Sequence, residues 1–258
     1  MRDIRQTPQY AKYLKKISWV VEQKHSNYFI KRFPLVGSVI KVQRPEILRY
    51  SDIRLLGKKH RAFQIIIEPK DTTNNQWLMA NGFKLSKSPY LPTKTLQLDL
   101  TVSMNRFIDT MKKDARRAVT MNQELGIKND DTNLEEFRKN WKKAVGWKRH
   151  IPSLKELQAL KKSFQKNSLF LLDNNSSGAI FLIGDGIAYY WQAFTSQKGR
   201  KQLAQYKIVW EGILWAKARG AKVFDFEGIY DPRFPNKNWK GFTHFKKSFG
   251  GYEVEYPG

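Results

Sequence analysis

The chain has 258 residues, 41% of them apolar, enough to bury one large core or two small ones. Its 47 Lys and Arg stand against 23 Asp and Glu, a formal charge of +24, which argues against small neutral substrates and points to polyanionic partners. With 8 Trp, 11 Tyr and 16 Phe interleaved with that charge it is no disordered basic tail, and the lack of cysteine removes disulfides, thiolate catalysis and Cys-ligated zinc.

The opening MRDIRQTPQY has no apolar stretch of the secretory kind, and no apolar run nears the roughly 20 residues of a membrane span. A soluble or peripheral protein of the cytoplasm is therefore expected. Thr7 is placed to cap a helix beginning at Pro8, with Tyr10, Tyr13, Leu14 and Ile17 on one face. Strand-like runs follow at Tyr28–Lys31, Ser38–Val42 and Ala62–Ile67, then a helical turn at Gln76–Ala80 stopped by Asn81-Gly82. Leu96, Leu98 and Leu100 alternate with polar residues as in a half-buried strand, after which the pattern predicts one long helix from Met104 to Glu124, closed by Gly126. The domain boundary is set between 95 and 103, giving a short first domain, 1–98, and a second, 99–258.

In the second half, Thr132 and Ser153 read as N-caps, the latter in a capping box with Glu156. Ser168–Leu172, Gly178–Ile183 and Ile187–Phe194 read as an antiparallel meander turned at Asn174-Asn175 and Asp185-Gly186. A helix with Leu203, Tyr206, Trp210, Ile213 and Leu214 inward is stopped by Gly220 and leads into the strand Val223–Phe226. The last helix carries Phe242, Phe245 and Phe249 on one face, ends at Gly250-Gly251, and is followed by the strand Tyr252–Tyr256. This helix brings Lys246 and Lys247 near a strand end, where a semi-buried lysine would stabilise an oxyanion; a solvated pair of lysines is the plainer alternative.

The order β-β-β-α-β-α-β is that of the second half of a GNAT-type acyltransferase. Such enzymes carry a glycine-rich phosphate loop before the helix that follows the meander. Here the loop reads Ser196-Gln-Lys-Gly-Arg-Lys-Gln202, without the second glycine, so acyl-CoA binding is kept only as an alternative. Asp225-Phe-Glu-Gly-Ile229, Phe245-Lys-Lys-Ser-Phe-Gly-Gly251 and Val254-Glu-Tyr256 resemble the end of the FemABX peptidoglycan-bridge peptidyltransferases. Gln6-Thr-Pro-Gln-Tyr-Ala-Lys12, Phe63-Gln-Ile-Ile-Ile-Glu-Pro69, Leu96–Leu100 and Met111-Lys-Lys-Asp-Ala-Arg-Arg117 are similar to that family's upstream motifs, in the same order.

The resemblance implies a mixed α+β fold of two GNAT-like domains, each a mostly antiparallel sheet flanked by helices. It also implies transfer of an amino acid from aminoacyl-tRNA to the stem-peptide amine of a UDP-muramyl-peptide or a lipid-linked precursor. Both substrates are polyanions, in keeping with the charge. Lys246 matches the family's Phe-Lys position and is assigned the electrostatic catalytic role; Glu68, in place of the family's Asp, is assigned as hydrogen-bond acceptor or base for the amine. Lys15 or Lys12 matches a phosphate-contacting lysine, and Arg149 a phosphate-reading arginine, with His150 one register away. Phe63 replaces an aromatic residue with a hydroxyl, while Tyr190 and Phe245 are taken as groove-lining substrate contacts. Lys112, Lys113, Arg116 and Arg117, with Lys198, Arg200 and Lys201, are assigned to the tRNA backbone. Glu227 stands where the family has glycine, an anion expected near the cleft, and the first domain is short.

His25, His60, His150 and His244 show no metal-ligand spacing, so neither metal nor cofactor is assigned. The partners are then aminoacyl-tRNA, the precursor and, from charge alone, an anionic membrane surface touched peripherally by a monomer. A non-enzymatic basic RNA-binding protein would show the same composition and stays open.

Overall fold

The computed structural model describes residues 1–120, 127–128, 133–146, 149–173 and 176–257, the side chains of 74, 127 and 128 excepted. The expected cap at Thr132, the helix end at Glu124 with its Gly126 stop, and the Asn174-Asn175 turn lie outside them.

In chain order the elements are α1 (Pro8–Lys16), β1 (Val20–Gln23), β2 (Asn27–Phe33), β3 (Gly37–Gln43), α2 (Tyr50–Lys59), β4 (Ala62–Glu68), α3 (Asn75–Ala80) and β5 (Lys94–Asp99). Then come α4 (Met104–Thr110), α5 (Lys113–Thr120), β6 (Ile127–Lys128), α6 (Leu134–Val145), α7 (Leu154–Phe164), β7 (Ser168–Asp173), β8 (Ser177–Gly184) and β9 (Ile187–Thr195). The chain closes with α8 (Gln197–Lys201), α9 (Ala204–Ala218), β10 (Val223–Asp225), α10 (Trp239–Lys247) and β11 (Tyr252–Glu255). Thr7 caps α1, and Ser153 and Glu156 form the expected capping box on α7.

Two mixed sheets result, one in the order β1-β2-β3-β4 and the other β11-β5-β10-β9-β8-β7-β6. Each contains one parallel pair, β3 with β4 and β9 with β10, and a parallel return needs a crossover. The helices α2 and α9 supply it. The sequence patterns did not reveal α2, whose stretch Tyr50–Lys59 is dominated by polar and basic residues, nor the short β1. The strand at the expected boundary, β5, pairs with β10 and β11 inside the larger sheet.

The larger sheet is buried on both faces, as the period of two along β8 requires. Ala179, Phe181 and Ile183 face the core under α5 and α9, while Ile180 and Leu182 face the one under α1, α6 and α7. Phe29 of β2 and Val21 of β1 join that second core. The other face of the small sheet, Tyr28, Ile30, Ile40 and Val42, packs on Ile53 and Leu56 of α2.

Three expectations need correction. The helix expected from Met104 onward breaks after Thr110, with Met111 extended at φ −72° and ψ 145°. The break is tertiary in origin: Lys112 N donates to Ser248 O at 2.8 Å, and a Cβ on Gly250 would stand 2.8 Å from Thr110 Oγ1. On α9 the inward side is Ile208, Val209, Gly212, Ile213 and Ala216, with Tyr206, Trp210 and Leu214 on the flank and Leu203 exposed. A Cβ on Gly212 would lie 2.3 Å from the Phe181 ring, so the small-residue side is the one that can approach the sheet. Phe242 of α10 is also exposed, leaving Phe245 and Phe249 to hold that helix.

Candidate functional site

The aromatic anchors of α10 position the lysine. Phe249, fully buried, lies 5.7 Å from both Tyr206 and Phe226, and Phe245 meets Tyr206 edge-on at 4.8 Å. Burying each ring contributes roughly 2–3 kcal/mol and fixes the helix against the sheet. Beyond the helix, Gly250 and Gly251 take φ of 81° and 91°, and a Cβ on Gly251 would fall 2.3 Å from Gln97 O. The two glycines therefore permit β11 to turn straight into pairing with β5.

Lys246 reaches from α10 to the end of β10. Its Nζ donates to Phe226 O at 2.8 Å and to Gly228 O at 2.6 Å, and lies 5.9 Å from the centre of the Tyr190 ring. An ammonium has three N–H groups, and two are used here. Burial pulls its pKa down to about 8, opposed by the charges of Glu227 and Asp225 and reinforced by Arg149.

The loop that presents these carbonyls is held from several sides. Asp225 accepts from Thr95 Oγ1 at 2.6 Å, Gln97 Nε2 at 2.8 Å and Glu227 N at 2.7 Å. Burial, with the Glu227 charge, raises its pKa. Glu227 adopts φ 54° and Gly228 φ 115°; a Cβ on Gly228 would stand 2.6 Å from Trp239 and 2.7 Å from Pro92. The left-handed backbone explains why glycine suits position 227. Glu227, expected as a stray anion near the cleft, is instead paired with Arg5 at 2.6 Å. Arg5 also binds Asp3 at 3.0 Å, and Asp3 binds Arg44 at 3.1 Å, so four buried charges balance behind the loop. Burial pushes Asp3 up, but Arg5 and Arg44 hold it below the usual carboxylate range.

Of the residues singled out from the sequence, Lys246, Tyr190 and Phe245 come together, and the Arg149 charge acts on both Lys246 and Tyr190. Tyr190 is buried and its hydroxyl accepts from Gln205 Nε2 at 2.7 Å. Glu68 and Phe63 sit at opposite ends of β4. Glu68 is buried and accepts from Gln43 Nε2 at 2.7 Å and Leu91 N at 2.5 Å, on the wall of a cavity of about 430 Å³ formed with Gln64, Leu78, Phe83 and Tyr90. Phe63 is exposed and lies against Phe33. Lys12 and Lys15 are exposed on α1, Lys15 donating to Gln23 at 3.4 Å. Lys112, Lys113, Arg116 and Arg117 are exposed on and before α5, and Lys198, Arg200 and Lys201 on α8. Arg116 also donates to Asp109 O at 2.8 Å and Met111 O at 3.1 Å, and Arg200 to Thr195 O at 3.1 Å. Gly199, read as one turn of a phosphate loop, lies inside α8 against the hairpin, where a Cβ would be 2.2 Å from Ser177 Oγ.

Sequence reasoning passed over Asp3, Arg5 and Arg44, since a charge's burial depends on partners distant along the chain. Thr95 and Gln97 left a signal: they are the polar positions of the alternating β5 strand, and both face Asp225.

Two mixed sheets, a meander followed by a crossover helix, and a lysine braced at the end of the strand it returns to define a GNAT-like architecture. Residues 138–258, which carry β7 through β11 and Lys246, match the model of the FemAB family. The fold is similar to that of FemX, with TM-score 0.77 and 16% identity over 98% of this chain and 90% of that one. It is also similar to the C-terminal domain of a putative lysylphosphatidylglycerol synthetase from Agrobacterium fabrum, with TM-score 0.63 and 10% identity over 98% and 87%. A tandem GNAT protein from the clavulanic acid biosynthesis pathway gives TM-score 0.51 and 11% identity over 89% and 81%. At such identities these likenesses establish the fold. No curated protein matches the chain. Residues 138–258 thus resemble the FemAB family, and the chain as a whole has a GNAT-like fold.

Proposed function

We propose that this chain is an aminoacyltransferase that moves an amino acid from aminoacyl-tRNA to the stem-peptide amino group of a peptidoglycan precursor, acting in the cytoplasm as a monomer. The observation that carries the reading is Lys246: a half-buried ammonium gripped by two backbone carbonyls, with one N–H left to offer. An aminoacyl ester is already activated, so the protein has mainly to orient the amine and stabilise the tetrahedral oxyanion. The acceptor nitrogen forms a bond to the ester carbon and gives up a proton, the carbonyl oxygen takes up negative charge, and the ester C–O bond breaks as the carbonyl reforms, the departing ribose oxygen taking up the proton. The third N–H of Lys246 donates to the oxyanion, and because its other two are fixed it needs little reorganisation to do so.

Arg149 and Tyr190 are the neighbouring substrate contacts, and Glu68 with its cavity serves the acceptor side, accepting a hydrogen bond from the attacking amine. The exposed bases of α5 and α8 flank α9 and follow the tRNA backbone. Support for this donor, over acyl-CoA, comes from the FemAB match and from the helical, closely packed state of the Ser196–Gln202 segment. A transfer assay with radiolabelled aminoacyl-tRNA against soluble UDP-muramyl-peptide and lipid-linked precursor tests it. Label is expected in one of the two acceptors. Binding of tRNA with no transfer to either would leave a basic RNA-binding protein.

A further inference from the structure

We propose that the tip of the β2–β3 hairpin, with the start of β4 beside it, is a docking surface for an anionic lipid bilayer. In the hairpin Phe33 stands opposite Gly37, so Pro34, Leu35 and Val36 form the connection. Leu35 is wholly exposed, Val36 is 66% exposed, and Phe33 and Phe63 are 43% and 55% exposed. The two phenylalanine rings lie 5.9 Å apart, and Phe63 is also the ring that a Cβ on Gly37 would meet. The four side chains thus share one end of the small sheet, with β4 at its edge.

The turn is closed by Val36 N donating to Phe33 O at 3.3 Å, but no apolar burial goes with it. Leu35 adopts φ 66°, a left-handed conformation costing an L-residue roughly 1–2 kcal/mol, and it has no core to enter in return. Contiguous exposed apolar side chains on one projection mark a contact surface.

The collar around the tip says what the surface meets. Arg32 precedes Phe33, and Arg61 stands two residues before Phe63, its carbonyl accepting from Ser38 N at 3.2 Å. Lys58, at the end of α2, accepts at its carbonyl from Arg61 N at 3.2 Å. All three bases are exposed. Residues 23–45 and 53–67 contain no Asp or Glu, and Glu22 of β1, which reaches the α2–β4 turn, is taken up by Lys59 at 2.7 Å and His60 at 3.0 Å. A projecting apolar tip within a net basic collar enters the acyl boundary while its cations meet anionic headgroups. A groove for a peptide would be concave, and a nucleic-acid surface would not project leucine and valine.

The test is co-sedimentation with vesicles of phosphatidylcholine alone and of equimolar phosphatidylcholine and phosphatidylglycerol. The wild-type chain is expected to partition onto the anionic vesicles far more strongly than onto the neutral ones. Leu35→Ser combined with Val36→Ser should weaken partitioning about tenfold or more. Arg32→Gln and Arg61→Gln should weaken it about fivefold each. All four substituted side chains are exposed, so thermal unfolding should be unchanged, and Leu35→Trp should show a blue-shifted emission only with anionic vesicles. Equal partitioning on the two vesicle types, or a double serine variant that binds like wild type, overturns the proposal. It stands apart from the transferase reading: Lys246→Ala is expected to bind vesicles as wild type does.

Discussion

Replacing Arg5 by Met tests the charge cluster that backs the Lys246 loop. The Arg5 side chain is 4% exposed and its guanidinium contacts Asp3 at 3.0 Å and Glu227 at 2.6 Å. Asp3, Glu227, Arg5 and Arg44 sum to zero charge; with Arg5 gone, Asp3 keeps Arg44 but Glu227 is left buried without its cation. Breaking a buried pair from one side costs about 3–5 kcal/mol, mostly the desolvation of the abandoned partner. Glu227→Gln placed on Arg5→Met restores neutrality, so the double variant should recover about half of that loss, roughly 2 kcal/mol, and the coupling should exceed this by whatever Glu227→Gln costs alone. Urea unfolding followed by tryptophan fluorescence at neutral pH measures all four corners of the cycle. A cost below about 1 kcal/mol for Arg5→Met, or additive single variants, would refute the view that these charges hold one another.

The pKa of about 8 at Lys246 predicts that transfer falls as pH rises through that value, and that Lys246→Arg moves this limb upward. The same group sets a stability signature. Its native pKa lies below the ordinary 10.5, so the folded state holds fewer protons between pH 8 and 10.5 and stability rises with pH across that window. That rise is up to about 3 kcal/mol from this residue and should vanish in Lys246→Met, as pH-dependent unfolding will show. Gly251→Ala should cost at least about 2 kcal/mol and reduce transfer, because its Cβ meets Gln97 O and pushes β11 from β5. Gly241→Ala, on the open side of α10, should instead stabilise by roughly 0.5–1 kcal/mol. Thermal unfolding of the pair separates packing from a general intolerance of substitution.

Much of the fold is legible in local chemistry. Thr7, Ser153 and Glu156 mark their helix starts because a cap is satisfied within one turn, and the meander announces itself through Asp185-Gly186, both left-handed in the structure. The break at Met111 was hidden because it is made by Ser248, more than a hundred residues away. The inward side of α9 was misjudged because the helix is apolar nearly all round, and the deciding feature is the absence of a side chain at Gly212 against Phe181. In the site, the Phe245-Lys246 pairing and the glycine stop are visible as sequence. The grip of Phe226 O and Gly228 O on Nζ is not, because it depends on the left-handed turn at Glu227 and on charges contributed by the first five residues.

Single-turnover transfer by Lys246→Ala, measured alongside its affinity for aminoacyl-tRNA, is the most direct trial of that grip. Loss of one preorganised oxyanion donor predicts a rate lower by about 10²–10³ with tRNA affinity nearly unchanged. A transfer rate within about threefold of wild type, or a loss of tRNA affinity that accounts for the whole effect, would contradict a catalytic role for the Lys246 ammonium.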